Sequence, residues 1–183
     1  MVGLDPKRVF CTTWVLLAGL PATGKSTLAH RLAEQLEQAV ILDKDRVRQA
    51  LFPGPMTDYS DEQNSISMKA ILEAAQYLTR QRLARYIFFD GRTFSRFKHI
   101  EEVCMAAEAV GARWRILHLF CTDQVATRRL HSPDLKHPAR NRDMALYYRL
   151  KAAFETIPHP KLDLDTSGGI EDLLPDALAY ISI

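Results

Sequence analysis

The sequence predicts an α/β fold, a three-layer sandwich in which a five-stranded parallel sheet lies between two layers of helices. Two observations carry this. Short apolar runs alternate with helix-period segments along the whole chain, which is the pattern of strands joined by crossover helices. The runs are nearly continuous rather than alternating, as strands buried on both faces are. At 183 residues the chain suits one domain, expected over 1–183.

The elements follow in order. Residues 12–18 (TTWVLLA) form an apolar run that stops at Gly19 and reads as the first strand. Leu28, Ala29, Leu32, Ala33 and Leu36 then recur at helical spacing, giving an amphipathic helix. Residues 40–42 are a second short strand, stopped by Asp43-Lys44-Asp45. Phe52-Pro53-Gly54-Pro55 is a turn cluster. Met68, Ile71, Leu72, Ala75 and Leu78 share one face of a longer helix, and residues 86–89 form a third strand ending at Asp90. Ile100, Val103, Cys104, Ala107 and Val110 mark the next helix, closed by Gly111. Residues 114–121 are the fourth strand, residues 144–154 a helix, and 162–164 the fifth strand. A last helix is expected over 171–181.

Composition narrows the function classes. Apolar residues make up 47% and charged residues 25%, the range of soluble globular proteins. With 24 Lys plus Arg against 22 Asp plus Glu, the net charge is +2, which points to no membrane partner and to no dominant nucleic-acid surface. The longest apolar stretch, 14–20, is far shorter than the roughly 20 residues of a membrane span. Cys11, Cys104 and Cys121 are odd in number and form no C-x-x-C, so reduced thiols in a cytoplasmic protein are expected.

The chemistry begins at Gly19-Leu20-Pro21-Ala22-Thr23-Gly24-Lys25-Ser26, a complete G-x-x-x-x-G-K-[ST] followed by Thr27. It follows an apolar strand and opens an amphipathic helix, the setting of a phosphate loop. Such a loop turns backbone N–H groups inward as a nest for phosphate oxygens, and the helix N-terminus adds partial positive charge. Lys25 is placed to reach the β- and γ-phosphates of ATP, and the Ser26 hydroxyl to ligate Mg²⁺.

Phosphate loops serve kinases, motors, GTPases and AAA-type ATPases, so the remaining residues must choose. No N-K-x-D guanine motif is present, and the length leaves no room for an oligomerising helical domain. Some twenty residues past Lys25, Ile41-Leu42-Asp43-Lys44-Asp45-Arg46-Val47-Arg48 places acids just beyond a strand end. Asp45 there is a candidate to take a proton from an acceptor hydroxyl or to hold Mg²⁺, with Arg48 one turn later to pair with it or to bind phosphate. The plain alternative is Asp45 as the N-cap of a helix with Arg46 and Arg48 in solvent. Asp90, closing Tyr86-Ile87-Phe88-Phe89, has the shape of a Walker B acid that holds Mg²⁺ through water, or else marks a strand-to-helix turn. Arg92 on the same rim is a candidate for an anionic substrate group.

G-L-P-A-T-G-K-S-T, I-L-D-K-D-R-V-R and F-F-D-G-R-T-F, in this order, resemble the small P-loop kinases among the AAA-type ATP-binding proteins. The nearest likenesses are the zeta-toxin, polynucleotide 5′-kinase and chloramphenicol phosphotransferase group, with adenylylsulfate and gluconate kinases close by. The resemblance spans nearly the whole chain. It implies strand order 2-3-1-4-5 and transfer of the γ-phosphoryl group of Mg-ATP to a hydroxyl. It makes Asp45 the acceptor-side base and gives Arg48 the acceptor or the transferred phosphate, while Asp43 stays a second candidate. In such kinases Asp90 would organise metal or face the acceptor.

Residues 128–142 hold five Lys or Arg and one Asp, and the polar stretch 131–143 (HSPDLKHPARNRD) reads as a basic lid over the site or as a basic loop without a catalytic part. The resemblance implies an R-L-x-x-R pattern here, its first Arg stacking on adenine and its second touching phosphate. Arg129-Leu130 matches, but Pro133 stands where the second Arg would be, so that duty passes to Arg140 or Arg142. Leu162-Asp163-Leu164-Asp165-Thr166-Ser167 ends the fifth strand in a turn; the resemblance sets this turn, with Thr166, beside the adenine, and Asp-Thr-Ser there equally reads as an N-cap for the final helix. Three functions are open: a small-molecule kinase, a polynucleotide 5′-kinase using the lid with Arg80, Arg82 and Arg85, and a regulatory ATPase without an acceptor. The near-neutral charge favours the first over the second.

Overall fold

The computed structural model describes residues 10–131 and 143–183. Five parallel strands, β1 (Thr13–Ala18), β2 (Ala39–Asp43), β3 (Tyr86–Asp90), β4 (Arg113–Phe120) and β5 (Leu162–Asp165), form one sheet in the order β2-β3-β1-β4-β5. This is the expected order. The helices are α1 (Lys25–Gln35), α2 (Lys44–Leu51), α3 (Asp61–Arg80), α4 (Phe97–Glu108), α5 (Asp123–His131), α6 (Met144–Ala152) and α7 (Leu174–Ser182).

β1 is central because all six of its residues are buried, and its side chains alternate between two cores. Trp14, Leu16 and Ala18 join Met68 and Ile71 of α3 and Ile100 and Val103 of α4 on one face. Val15 and Leu17 join Leu28 and Leu32 of α1 and Leu174, Ala177 and Ile181 of α7 on the other. The buried indole of Trp14 donates from Nε1 to Thr79 Oγ1 at 2.9 Å, and Thr79 donates onward to the Ala75 carbonyl, so the heaviest core side chain carries no unmet polar atom.

Several boundaries shift by one or two residues: β1 starts at 13 rather than 12, β3 includes Asp90, β4 runs 113–120 rather than 114–121, β5 includes Asp165, and α6 ends at 152 rather than 154. Two further differences bear on the site. β2 runs through Asp43, which pairs in register with Asp90; ladder bonding, rather than the onset of charge, ends the strand. The final helix is split: a 3₁₀ turn over Glu171–Leu173 precedes α7. Pro175 lies in the first turn of α7, where its missing N–H costs no hydrogen bond. Among the described residues no helix is long and apolar enough to cross a membrane. Because every strand is parallel, all five C-terminal ends share one edge of the sheet, and the expected site residues among the described ones gather there.

Candidate active site

The loop between β1 and α1 is held open by its own backbone. Gly19 has φ +142°, and a Cβ there would stand 2.2 Å from the Leu119 carbonyl oxygen, so no other residue fits. Its N–H donates to the Thr93 carbonyl at 2.9 Å, tying the loop to the segment after β3. Ala22 (φ +64°) and Gly24 (φ +86°) turn the chain back into α1. Lys25 Nζ donates to the Leu20 carbonyl at 2.7 Å, and Thr23 Oγ1 to the same carbonyl at 2.8 Å. Pro21, Ser26 and Thr27 line the cleft beside them. The lysine thus lies folded over the concavity that a phosphate chain would fill.

Arg129 of α5 clamps this loop to the turn after β5. Its Nη1 donates to the Ala22 carbonyl (3.1 Å) and Thr166 Oγ1 (3.2 Å), and its Nη2 to the Thr166 carbonyl (2.7 Å). Thr166 is fully buried and its hydroxyl lies 3.0 Å from the Thr23 carbonyl. Both residues therefore lie against the phosphate loop. The Thr166 hydroxyl, however, is committed to the protein backbone.

The opposite rim is built by α2. Asp43, not Asp45, is the N-cap: its Oδ1 accepts from the N–H groups of Asp45 (2.8 Å) and Arg46 (3.2 Å). Capping by the last strand residue turns Asp45 inward. Asp45 Oδ1 meets Arg48 Nη2 at 2.6 Å and Lys44 Nζ at 3.3 Å. Arg48 is 2% exposed, so the alternative that left it in solvent is corrected. Its Nη1 donates to Asn64 Oδ1 at 2.7 Å, as does Lys44 Nζ, and its guanidinium lies 4.4 Å from the centre of the Tyr59 ring. Burial pushes the Lys44 ammonium below its usual range, with Arg48 and Arg92 adding to the effect against the pull of Asp45.

Asp90 is 4% exposed and its Oδ1 has no hydrogen-bond partner. It lines the same cleft as Ser26. An orphaned carboxylate oxygen across from a phosphate-loop hydroxyl suits Mg²⁺, which takes few protein oxygens and completes its shell with water and phosphate. Among the described residues no group of three or more His, Cys, Asp or Glu could hold a metal. Gly91 follows with φ +78°; a Cβ there would stand 2.9 Å from both Asp43 Oδ1 and Asp45 N. The absence of that Cβ lets β3 and the start of α2 pack together.

A family profile for the AAA domain (AAA_33) matches residues 15–156, spanning β1 to the end of α6. The chain belongs to the AAA domain family. No curated protein sequence matches it. Solved structures share the fold of this AAA-family chain. The APS kinase of Mycobacterium tuberculosis, solved with AMPPNP and APS, superposes with a TM-score of 0.70 at 15% identity, over 96% of this chain and 100% of that one. A sugar kinase of a Janibacter species gives 0.65 at 18% identity, over 94% and 95%. The Deinococcus radiodurans tunicamycin resistance protein gives 0.63 at 18%, over 94% and 96%.

Within this AAA domain the loop, Arg129, Asp45, Arg48, Asp90 and Arg92 line one cleft of about 1760 Å³. Arg140 and Arg142, with the expected lid, lie outside the described residues. Lys44, Tyr59 and Asn64 had no signal in sequence: Asn64 meets Arg48 from the second turn of α3, sixteen residues away. Arg80 ends α3, and Arg82 and Arg85 lie between it and the start of β3, at the sheet edge opposite the loop.

Proposed function

We propose that the chain is an ATP-dependent phosphotransferase that moves the γ-phosphoryl group of ATP to a hydroxyl of a small molecule. The observation that carries the reading is the buried Asp45–Arg48–Lys44 cluster lining the same cleft as the phosphate loop. A nucleotide switch has no need of a carboxylate held by two cations in the cleft that takes its phosphates. A phosphotransferase does: the acceptor oxygen attacks the γ-phosphorus, the bond to the β,γ-bridging oxygen breaks, and the acceptor proton passes to a carboxylate.

Of the three candidate acids, Asp43 is committed to capping α2. Asp90 presents an orphaned oxygen, and with Ser26 it would hold the Mg²⁺ that neutralises phosphate charge when bound. Asp45 is the remaining base. Both cations contact its Oδ1; Arg48, locked by Asn64 and Tyr59, orients the carboxylate and supplies positive charge to the transferred group. Lys25 leaves the Leu20 carbonyl to reach the β- and γ-phosphates, and Arg129 presents the adenine side. Arg140 and Arg142 remain the candidates for transition-state charge.

The polynucleotide reading loses its second basic cluster, because Arg80, Arg82 and Arg85 sit on the far edge of the sheet. Incubation with γ-labelled ATP and a panel of sugars, nucleosides, antibiotics and a 5′-hydroxyl oligonucleotide tests the proposal. Label should move to a small alcohol, and Lys25→Ala should stop it. Label released only as phosphate would favour the regulatory ATPase, and label on the oligonucleotide alone the polynucleotide kinase.

A further inference from the structure

The cleft holds a cation, Arg92, one of whose nitrogens has no hydrogen-bond acceptor in the protein. Arg92, two residues past Asp90, has a side chain only 14% exposed, and its Nη1 is buried without a hydrogen-bond partner. Its ion-pair partner, Glu102 Oε2, stands 3.8 Å away, beyond hydrogen-bonding distance. Arg48 also has one buried nitrogen without a partner, Nε, but both of its terminal nitrogens, the ones that can reach a ligand end-on, are bonded within the protein. A buried guanidinium N–H without an acceptor is expensive to maintain, and a site that maintains one next to a ligand cleft has a use for it.

The surroundings lean to the same sign. Arg96, Lys98, Asp61 and Glu102 line the same cleft; Arg96, Lys98 and Asp61 act on His99 as Arg92 does, and Asp61 and Glu102 act on Arg92 itself. His99 registers the field: burial, reinforced by Arg92, Lys98 and Arg96, takes its imidazole down to about 4, so it stays neutral. Arg92 also bears on Lys44, the neighbour of Asp45, which sets this positive pocket next to the carboxylate where the acceptor hydroxyl would lie.

We infer that the acceptor is an anionic alcohol, one whose hydroxyl is accompanied by a phosphate, sulfate or carboxylate group, and that Arg92 is the residue that seats this group. The inference rests on the phosphotransferase reading for its geometry. The bond formed is a charge-assisted hydrogen bond from Nη1 to an anion oxygen, in the place that Glu102 leaves open.

Binding, rather than turnover, tests it. With the phosphate loop saturated by AMPPNP, calorimetric titration compares adenosine with 3′-AMP, glucose with glucose 1-phosphate, glucose with glucose 6-sulfate, and glycerol with glycerate. In at least one pair the anionic member should bind roughly 10- to 100-fold more tightly, the scale of one charged hydrogen bond. Arg92→Gln should erase that preference while the neutral member binds as before, and Arg92→Lys should restore part of it. Unchanged AMPPNP affinity shows that each variant is folded. The pair that responds identifies the anion. If no anionic compound outbinds its neutral partner, or the preference survives Arg92→Gln, the inference is overturned. Failure of the phosphotransferase reading would look different: the anion preference would stand, but no label would leave ATP for any alcohol.

Discussion

Asp43 stands opposite Asp90 in the register of β2 and β3, so a half-buried carboxylate and a buried one share the sheet edge beside the phosphate loop. Burial pushes the Asp43 carboxyl above its usual range, the Asp90 charge pushes it further, and the N–H groups of Arg46 and Asp45 only partly offset this. The edge is therefore held in tension, with one acid committed to a helix cap and the other left with an unmet oxygen.

That tension has a pH signature. A carboxyl whose folded pKa is raised contributes stability below its unfolded value, about 3.9, and loses that contribution as pH rises through the folded pKa. Asn caps a helix as well as Asp. Asp43→Asn should therefore melt above the wild type at pH 7, with the gap closing as pH falls toward 4. Melting curves across this range check it; a gap independent of pH would assign the effect to the cap.

Asp90 offers a second test. AMPPNP with Mg²⁺ should raise the melting temperature more than AMPPNP with EDTA, since a ligand stabilises in proportion to its binding to the native state. In Asp90→Asn the metal-dependent part of the rise should vanish while the part due to nucleotide alone persists. A full metal-dependent rise in the variant would remove Asp90 from the metal site.

Gly19 is the point at which the loop has least freedom. A Cβ 2.2 Å from the Leu119 carbonyl must displace backbone, at a cost on the order of 1–3 kcal/mol or more. Gly19→Ala should lower the melting temperature by several degrees and abolish AMPPNP binding, both read in one thermal-shift titration. Wild-type binding would mean that the loop reshapes on contact with nucleotide.

Local features were legible in sequence. The strand–loop–helix unit at 13–35 announces itself because apolar periodicity and the glycine-lysine-serine spacing lie within one stretch. The Asp45–Arg48 pair was also legible, since residues three apart share a helix face. What could not be read is what comes from elsewhere in the fold. Asn64 and Tyr59 reach Arg48 from α3 and the segment before it, and nothing in their neighbours marks them. Nor does sequence reveal that β2 continues through Asp43, which decides that Asp43 caps α2 and Asp45 turns inward. The unmet Nη1 of Arg92 is a property of packing alone.

The central claim is that the cleft is built to transfer a phosphoryl group and not only to hold a nucleotide, and Asp45→Asn tests it most directly. Removing this charge leaves Arg48 and Lys44 without their anion, which can cost about 3–5 kcal/mol, so single-turnover transfer from labelled ATP is measured well below the variant's melting temperature, alongside its AMPPNP affinity. With an acceptor from the screen, transfer should fall roughly 10²–10⁴-fold, the usual consequence of losing a general base, while AMPPNP affinity stays near that of the wild type. Transfer at close to the wild-type rate would contradict the account.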